Sequence, residues 1–373
     1  MKDRVVHIVK ATGIHGTEKH LLTLLSGLKE KYHVFLIVLT EPKTPLKEYF
    51  RQLAENGISA YRVIIRSDLD PVCAWKIFQV IRKVKPVLVH THLIHGDLYG
   101  TLTAGAAGVK PIVSTKHNDD AFRKNRFIRA LNMAVNRRTS GMIAISEWVR
   151  KFITTVEDVP ENKIRTVYYG LKDIFPGSDT NVFREAFGIS QDAIVVGIIA
   201  RLVVQKDHQT LIAAFARAYR KNSKLLLLIT GDGKLKSDLK HQVKTAGLEK
   251  KVVFTGYRPD TEKVLSAIDI FVHPSRWEGF GLSILEAMIM AKPVIATNVS
   301  AIPELVRGNE TGFLVPAGDT EALARSILDL AENAELRKTL GHCGRERWKN
   351  KFSADKMIAE TENYYKELLL DRP

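Results

Sequence analysis

Short apolar runs rich in β-branched residues alternate with longer helical patterns along the whole chain, and this rhythm starts twice. The first series is RVVHIV (4–9), HVFLIVL (33–39), AYRVII (60–65), PVLVHT (86–91), PIVST (111–115), GMIAIS (141–146) and KIRTVYY (163–169). The second is AIVVGIIA (193–200), KLLLLITG (224–231), KVVFTG (251–256), DIFVH (269–273), PVIAT (293–297) and GFLVP (312–316). Near-continuous apolar strands spaced by helices predict parallel sheets covered on both faces. Two series predict two doubly wound α/β domains, each binding ligands at the carboxyl ends of its strands. The aperiodic stretch GLKDIFPGSDTN (170–181) predicts the linker. We expect one domain over 1–172 and a second over 173–355. The last helical pattern, Ala354–Leu370, follows no strand, and 356–373 is expected to pack toward the first domain.

Charge separates the halves. The chain holds 56 Lys+Arg against 41 Asp+Glu, a net +15. Residues 1–175 carry 28 against 16, a net +12, whereas residues 176–373 carry 28 against 25, a net +3. Such asymmetry points to an anionic partner for the first half: nucleic acid, a membrane surface or an acidic substrate. The densest segment is AFRKNRFIRALNMAVNRRTS (121–140). On a helix it places Phe127, Ile128, Leu131, Ala134 and Val135 on one face, with Arg126, Arg129 and Arg137 away from it. A basic amphipathic helix of this kind can lie in a membrane interface. Arg123, Lys124, Arg126, Phe127, Arg129 and Leu131 are the candidate membrane-facing residues. The alternative is a helix whose apolar side covers the domain sheet while its arginines are solvated.

Other classes are excluded more directly. Cys73 and Cys343 lie far apart and define no disulfide framework or zinc knuckle, which points to a reducing compartment. No apolar run approaches the ~20 residues that span a bilayer, and the N-terminal apolar stretch is too short for a signal peptide. A cytoplasmic protein, peripheral on the inner face of the cell membrane, is expected. GDG (231–233) lacks the third glycine of a dinucleotide fingerprint, and the chain has no Walker phosphate loop.

The most informative stretch is HPSRWEGFGLSILEAMIMAKPVIAT (273–297), read as strand, loop, helix, strand. Gly279 and Gly281 let the backbone approach a ligand, and the free N–H groups where the helix opens form an anion site. Glu278 on the loop and Glu286 on the helix can face one cleft, bonding sugar hydroxyls and a ribose diol. Arg201 and Lys206 follow a buried strand at its carboxyl end, where two cations can hold a diphosphate. Gly13 and Gly16 flank the first strand-to-helix turn, with Thr17 expected to cap a helix starting at Glu18. His117 follows the strand PIVST and is expected at the cleft rim. His90, His92 and His95 have a spacing that zinc sites use, but no later ligand group accompanies them. Asp97 is read as a helix cap, and Asp68 and Asp70 as a solvated loop.

Together these stretches resemble the retaining glycosyltransferases of family four (glycosyl transferases group 1), which adopt the two-domain GT-B fold with its domains facing a central cleft. The resemblance is carried by P-S-x-x-E-G-F-G-L-x-x-L-E-A-M and by GIIARLVVQKD (197–207), ITGDG, VVFTGY, NVSAIPELV and TGFLVPAGD, in the family's order. GIHGTEKHLLTLL, VLVHTH, STKH and AISEWVR extend it through the first half, although Gly13-Ile14-His15-Gly16 replaces the family's adjacent glycines.

The resemblance implies sugar transfer from a nucleoside-diphosphate sugar to a hydroxyl acceptor, with retention and without cofactor or metal. Glu278 and His117 would act on the donor sugar. Gly16, Arg201, Lys206, Gly279, Phe280, Gly281, Leu282 and Ser283 would line the donor phosphates, Glu286 the ribose, and Tyr257 and Arg258 the base. The basic first half fits a lipid-linked or membrane-presented acceptor, as in cell-envelope polysaccharide assembly. An epimerase-like enzyme of related fold and a nucleic-acid-binding module are the alternatives. No nucleic-acid motif occurs, which disfavours the second.

Overall fold

The computed structural model describes residues 2–118, 125–174 and 181–370. The chain divides into two compact units, Met1–Lys172 with Ser353–Pro373, and Asp173–Phe352. The first holds a seven-stranded sheet of β1 (Arg4–Lys10), β2 (His33–Thr40), β3 (Ser59–Ile64), β4 (Leu88–His92), β5 (Ile112–Lys116), β6 (Gly141–Ala144) and β7 (Ile164–Thr166). Their order is β3-β2-β1-β4-β5-β6-β7, and every neighbouring pair is parallel. The second unit holds β8 (Ile194–Ile199), β9 (Leu225–Thr230), β10 (Val252–Gly256), β11 (Ile270–His273), β12 (Val294–Thr297) and β13 (Gly312–Val315), ordered β10-β9-β8-β11-β12-β13. Each of the expected strands is present, and the doubly wound fold is as the alternation predicts.

The period-two pattern of β1 sorts two cores in the first unit. Val5 and Val9 point to a face covered by the helix Gly16–Leu28 and by the C-terminal helix Ala354–Leu370. Val6 and Ile8 point to the opposite face, covered by the helices Pro71–Val84 and Leu93–Ala106. The C-terminal helix is held by buried phenols. Tyr364 accepts from Met142 N–H at 3.1 Å and donates to the Lys163 carbonyl at 3.1 Å, joining the helix to β6 and to the turn before β7.

Several local expectations are corrected. The first helix starts at Gly16, with His15 as N-cap and the Glu18 carboxylate reaching back to the His15 N–H at 2.9 Å, so Thr17 is not the cap. Asp70 is 6% exposed and caps Pro71–Val84 by accepting from the N–H groups of Val72 and Cys73. Asp97 lies inside Leu93–Ala106, where its carboxylate accepts from Thr91, Ser114 and Lys116, each at 2.6 Å. A buried lysine needs such a partner, since an unpaired buried charge is costly.

The basic segment is a helix over Arg126–Asn136; Arg123, Lys124 and the side chain of Phe127 lie outside what is described. Its buried residues are Asn132, Val135 and Asn136, whereas Leu131 and Ala134 are exposed. Asn136 is drawn inward because its amide bonds Glu157 at 2.8 Å and Lys116 at 3.2 Å. That polar anchor turns part of the expected apolar stripe toward solvent.

Gly96 brings the helix Leu93–Ala106 onto β1 so closely that an added Cβ would stand 2.6 Å from the Ile8 carbonyl oxygen. Gly96→Ala should destabilise the fold by roughly 1–3 kcal/mol despite alanine's better helix propensity. Gly105, in the same helix, has no atom within 4 Å of an added Cβ. Gly105→Ala should be neutral or stabilising, and urea midpoints of the two variants check both signs.

Candidate active site

In each sheet the earliest strand sits inside, with the chain continuing to opposite sides of it. The resulting switch points lie between β1 and β4 and between β8 and β11. Loops after two such neighbouring strands turn to opposite faces and leave a crevice at the carboxyl edge.

In the second unit the loops after β8 and β11 are tied together. The Arg276 N–H donates to the Gln205 carbonyl at 2.8 Å, and the Gln205 amide donates to the Trp277 carbonyl at 3.0 Å. Between them the Lys206 ammonium is hydrogen-bonded and ion-paired to Glu278. Their side chains are only 12% and 13% exposed. His273, the last residue of β11 and fully buried, places Nε2 3.1 Å from the same carboxylate and 3.0 Å from the Ser275 hydroxyl. Burial pushes the Glu278 carboxyl up, but the Lys206 charge and the His273 contact overcome it and hold the group at about 2. Burial, reinforced by the Lys206 charge, lowers His273. The site therefore contains a carboxylate, an ammonium and an imidazole that burial disposes to neutrality.

Gly281 adopts a φ of 112° at the N-cap of the helix Leu282–Ile289, a conformation that favours glycine. Ser283 places its hydroxyl 3.4 Å from His273 Nδ1. Glu286 is buried one turn further along. Phe280 is buried, its ring edge-on to Phe352 at 5.9 Å, and Gly279 beside it is also buried. Arg201, just beyond β8, is exposed and has no ion-pair partner among the described residues. It is supported from behind by the GDG loop. Gly231, at φ 142°, approaches so closely that a Cβ would stand 1.9 Å from the Ala200 carbonyl oxygen. Tyr257 and Arg258 follow β10, the edge strand two places from β8. Tyr257 is exposed, while Arg258 is held by Asp260 at 2.6 Å.

The first unit is built differently. Gly16 opens the helix beyond β1, and behind it lies a buried cluster of histidines. His117 is 3% exposed, not at an open rim. Its Nδ1 is hydrogen-bonded to the Tyr169 hydroxyl and its Nε2 lies 3.1 Å from His92 Nδ1, so both nitrogens are engaged by protein. His90 and His92 share a sheet face with His7, each offering a nitrogen within 4.8 Å of the others, while His95 is turned to Asp68 at 2.9 Å. The three-histidine spacing thus does not converge as a group. His7, His20, Tyr169, Tyr365 and His273 were not foreseen as site residues. The one available signal was a polar residue inside or ending an otherwise apolar strand, as in RVVHIV and DIFVH.

Burial lowers His7 and His20 to about 3 and puts His90 and His92 well below the ordinary imidazole value. Each is neutral when folded but takes up a proton below about pH 6.5 when unfolded. The stabilisation is full above that pH and is lost as pH falls toward the folded values. His7 and His20 alone give a slope of about 3 kcal/mol per pH unit in that window. Urea unfolding at about pH 7.5 and about pH 5.5 should show this loss, and His20→Leu should make it shallower.

Two family models match, one to each half. Residues 14–173 match Glycosyltransferase Family 4 and residues 179–347 match Glycosyl transferases group 1. The chain is 30% identical over 370 residues to an N-acetyl-alpha-D-glucosaminyl L-malate synthase of Bacillus anthracis, covering 97% of this chain and 95% of that protein. It is 26% identical over 309 residues to an Escherichia coli UDP-Gal:alpha-D-GlcNAc-diphosphoundecaprenol alpha-1,3-galactosyltransferase, covering 79% of each. Among solved structures, Anabaena Alr3699/HepE in complex with UDP and glucose superimposes with a TM-score of 0.87 at 21% identity, covering 98% of this chain and 100% of that one.

Proposed function

The chain belongs to the group 1 glycosyltransferases of GT-B fold, and from that premise we propose that it moves a sugar from a nucleoside-diphosphate donor to a hydroxyl acceptor, retaining anomeric configuration. The observation that carries this reading is the Lys206–Glu278–His273 cluster at the β8/β11 switch point, beside the Gly281 helix start. Lys206, Arg201 and the N–H groups around Gly281–Ser283 take the diphosphate. Glu286 takes the ribose, and the Tyr257–Arg258 segment lies toward the base. Donor phosphate competes with Glu278 for Lys206, and the released carboxylate turns to the sugar as positive charge develops at its anomeric carbon. Two protein cations at the leaving group do the work for which other transferases use a divalent metal.

The acceptor is a glycan presented at a membrane. The net +12 of residues 1–175 supports this, as do Leu131, Arg126 and Arg129, exposed together on one helix. The similarity to a transferase named for a diphosphoundecaprenol-linked acceptor supports it further. No helix among the described residues is long and apolar enough to cross a membrane.

A screen of nucleoside-diphosphate sugars should find one that raises the thermal midpoint and is consumed with a membrane-extracted acceptor, equally well in excess chelator. Lys206→Ala and Arg201→Ala should each lower kcat/KM by roughly 10²–10³-fold. Unchanged turnover would remove their phosphate role, and a fully active Glu278→Gln enzyme would end that residue's part. Vesicles with anionic headgroups should bind the protein in a salt-sensitive manner that Arg126→Glu with Arg129→Glu abolishes. Equal weak binding to neutral vesicles would sink the membrane reading.

A further inference from the structure

The buried histidines of the first unit form more than a cluster. The Thr17 hydroxyl bonds the Tyr169 phenol, which bonds His117 Nδ1. His117 Nε2 lies 3.1 Å from His92 Nδ1, and His92 Nε2 lies 3.0 Å from His7 Nδ1. His7 Nε2 is 3.3 Å from the Tyr365 hydroxyl, which also bonds His90 Nδ1, and His90 Nε2 is 2.6 Å from the Thr115 hydroxyl. The run crosses the sheet from the first turn after the glycine loop to the C-terminal helix, and every member inward of Thr17 is at most 4% exposed.

Such a run has a property that its separate bonds lack. A neutral imidazole donates from one nitrogen and accepts at the other. Here every ring is entered at Nδ1 and left at Nε2, reading from Tyr169. His117, His92 and His7 must therefore all carry the same tautomer, because any mixture sets two donors or two acceptors face to face. With Thr17 donating inward, all are Nε2–H, Tyr365 donates to His90, and His90 donates to Thr115. Burial keeps His7, His90 and His92 from charging.

We propose that this run is a tautomer-locked strut, in which His7, His92 and Tyr365 are positioning residues that fix His117 and, through Tyr169, hold the Thr17 end of the glycine loop in its working place. It deepens the transferase reading and rests on it only for the kinetic consequence. His117 then acts from behind the substrate-facing loop, which explains why neither of its nitrogens stands open. The C-terminal helix, far away in sequence, contributes to the reaction through a single hydroxyl.

The test uses the full chain with ¹⁵N-labelled histidine. At neutral pH, two-dimensional ring spectra should show His7, His92 and His117 as neutral Nε2–H tautomers. A mixture among the three, or an imidazolium at any of them, overturns the proposal. Tyr365→Phe removes one oxygen and should broaden or switch the His117 and His7 signals. It should also lower kcat roughly tenfold with KM nearly unchanged. Tyr32→Phe is the packing control, since that ring stands edge-on to Tyr365 at 6.0 Å; it should leave tautomers and kcat alone. A Tyr365→Phe protein with wild-type ring spectra and kcat, or a Tyr32→Phe protein with the same losses, refutes the strut. The spectra need no turnover, so failure to find a donor sugar would count against the transferase reading and leave this inference separately decided.

Discussion

The buried polar groups of both units depend on a constraint that is topological before it is chemical. In a parallel sheet whose first strand lies inside, right-handed crossovers send the chain to opposite faces on either side of that strand. The loops at that point cannot pack over each other, and an opening remains at the carboxyl edge. The chain meets this constraint twice, at β1/β4 and at β8/β11. Apolar side chains fill most of both sheets, and polar residues gather at and near the carboxyl ends of the strands. Lys206, His273 and Glu278 stand at one such edge, and His92 and His117 at the other.

The two edges bury polarity by opposite means. At β8/β11 an ammonium and a carboxylate are paired out of bulk water, an arrangement that barely repays its desolvation unless further hydrogen bonds complete it. His273 and Ser275 complete it on the carboxylate side. On the proposed function, a donor phosphate entering beside Lys206 competes with Glu278 for the ammonium, and the displaced carboxylate keeps His273 and Ser275 as partners. At β1/β4 the buried imidazoles and phenols are bonded in series. Nothing there is easily exchanged, since removing one link leaves a donor or acceptor without a partner in the interior. The first edge is suited to reaction and the second to holding shape.

Sequence reveals these two edges unequally. The strands are legible because parallel strands buried on both faces must be apolar throughout, and the switch points follow from their order. Arg201, Lys206, Glu278 and Gly281 are legible because they lie in short segments with local spacing. That Lys206 and Glu278 bind each other is not, because 72 residues separate them and only sheet order makes their loops neighbours. Tyr365 and His7 are separated by 358 residues; His7 stands out only as a polar residue in an apolar strand, and no local pattern marks Tyr365. His90 and His92 illustrate the trap. Alternation on a strand puts two histidines on one face, which looks like ligand spacing, yet their partners come from β1, β5 and the C-terminal helix. The expected cap at Asp97 and the expected stripe of the basic helix failed for a related reason: Asp97 and Asn136 each serve the buried Lys116, whose need for partners overrides both.

The C-terminal helix joins the apolar core of the first unit to its polar run. The chain returns from its second unit to its first to place a seventeen-residue helix there, and hydrophobic cover alone does not require two adjacent tyrosines. Tyr364 satisfies the backbone of β6 and of the turn before β7, so its hydroxyl closes a sheet edge. Tyr365 points one residue further round, into the histidine run, where a hydroxyl can accept from one ring while donating to another. Phenylalanine there would fill the same volume and leave His7 and His90 each short of a partner. The final helix is thus a structural lid at one tyrosine and a member of the polar interior at the next, which is why the first unit is incomplete without the end of the chain.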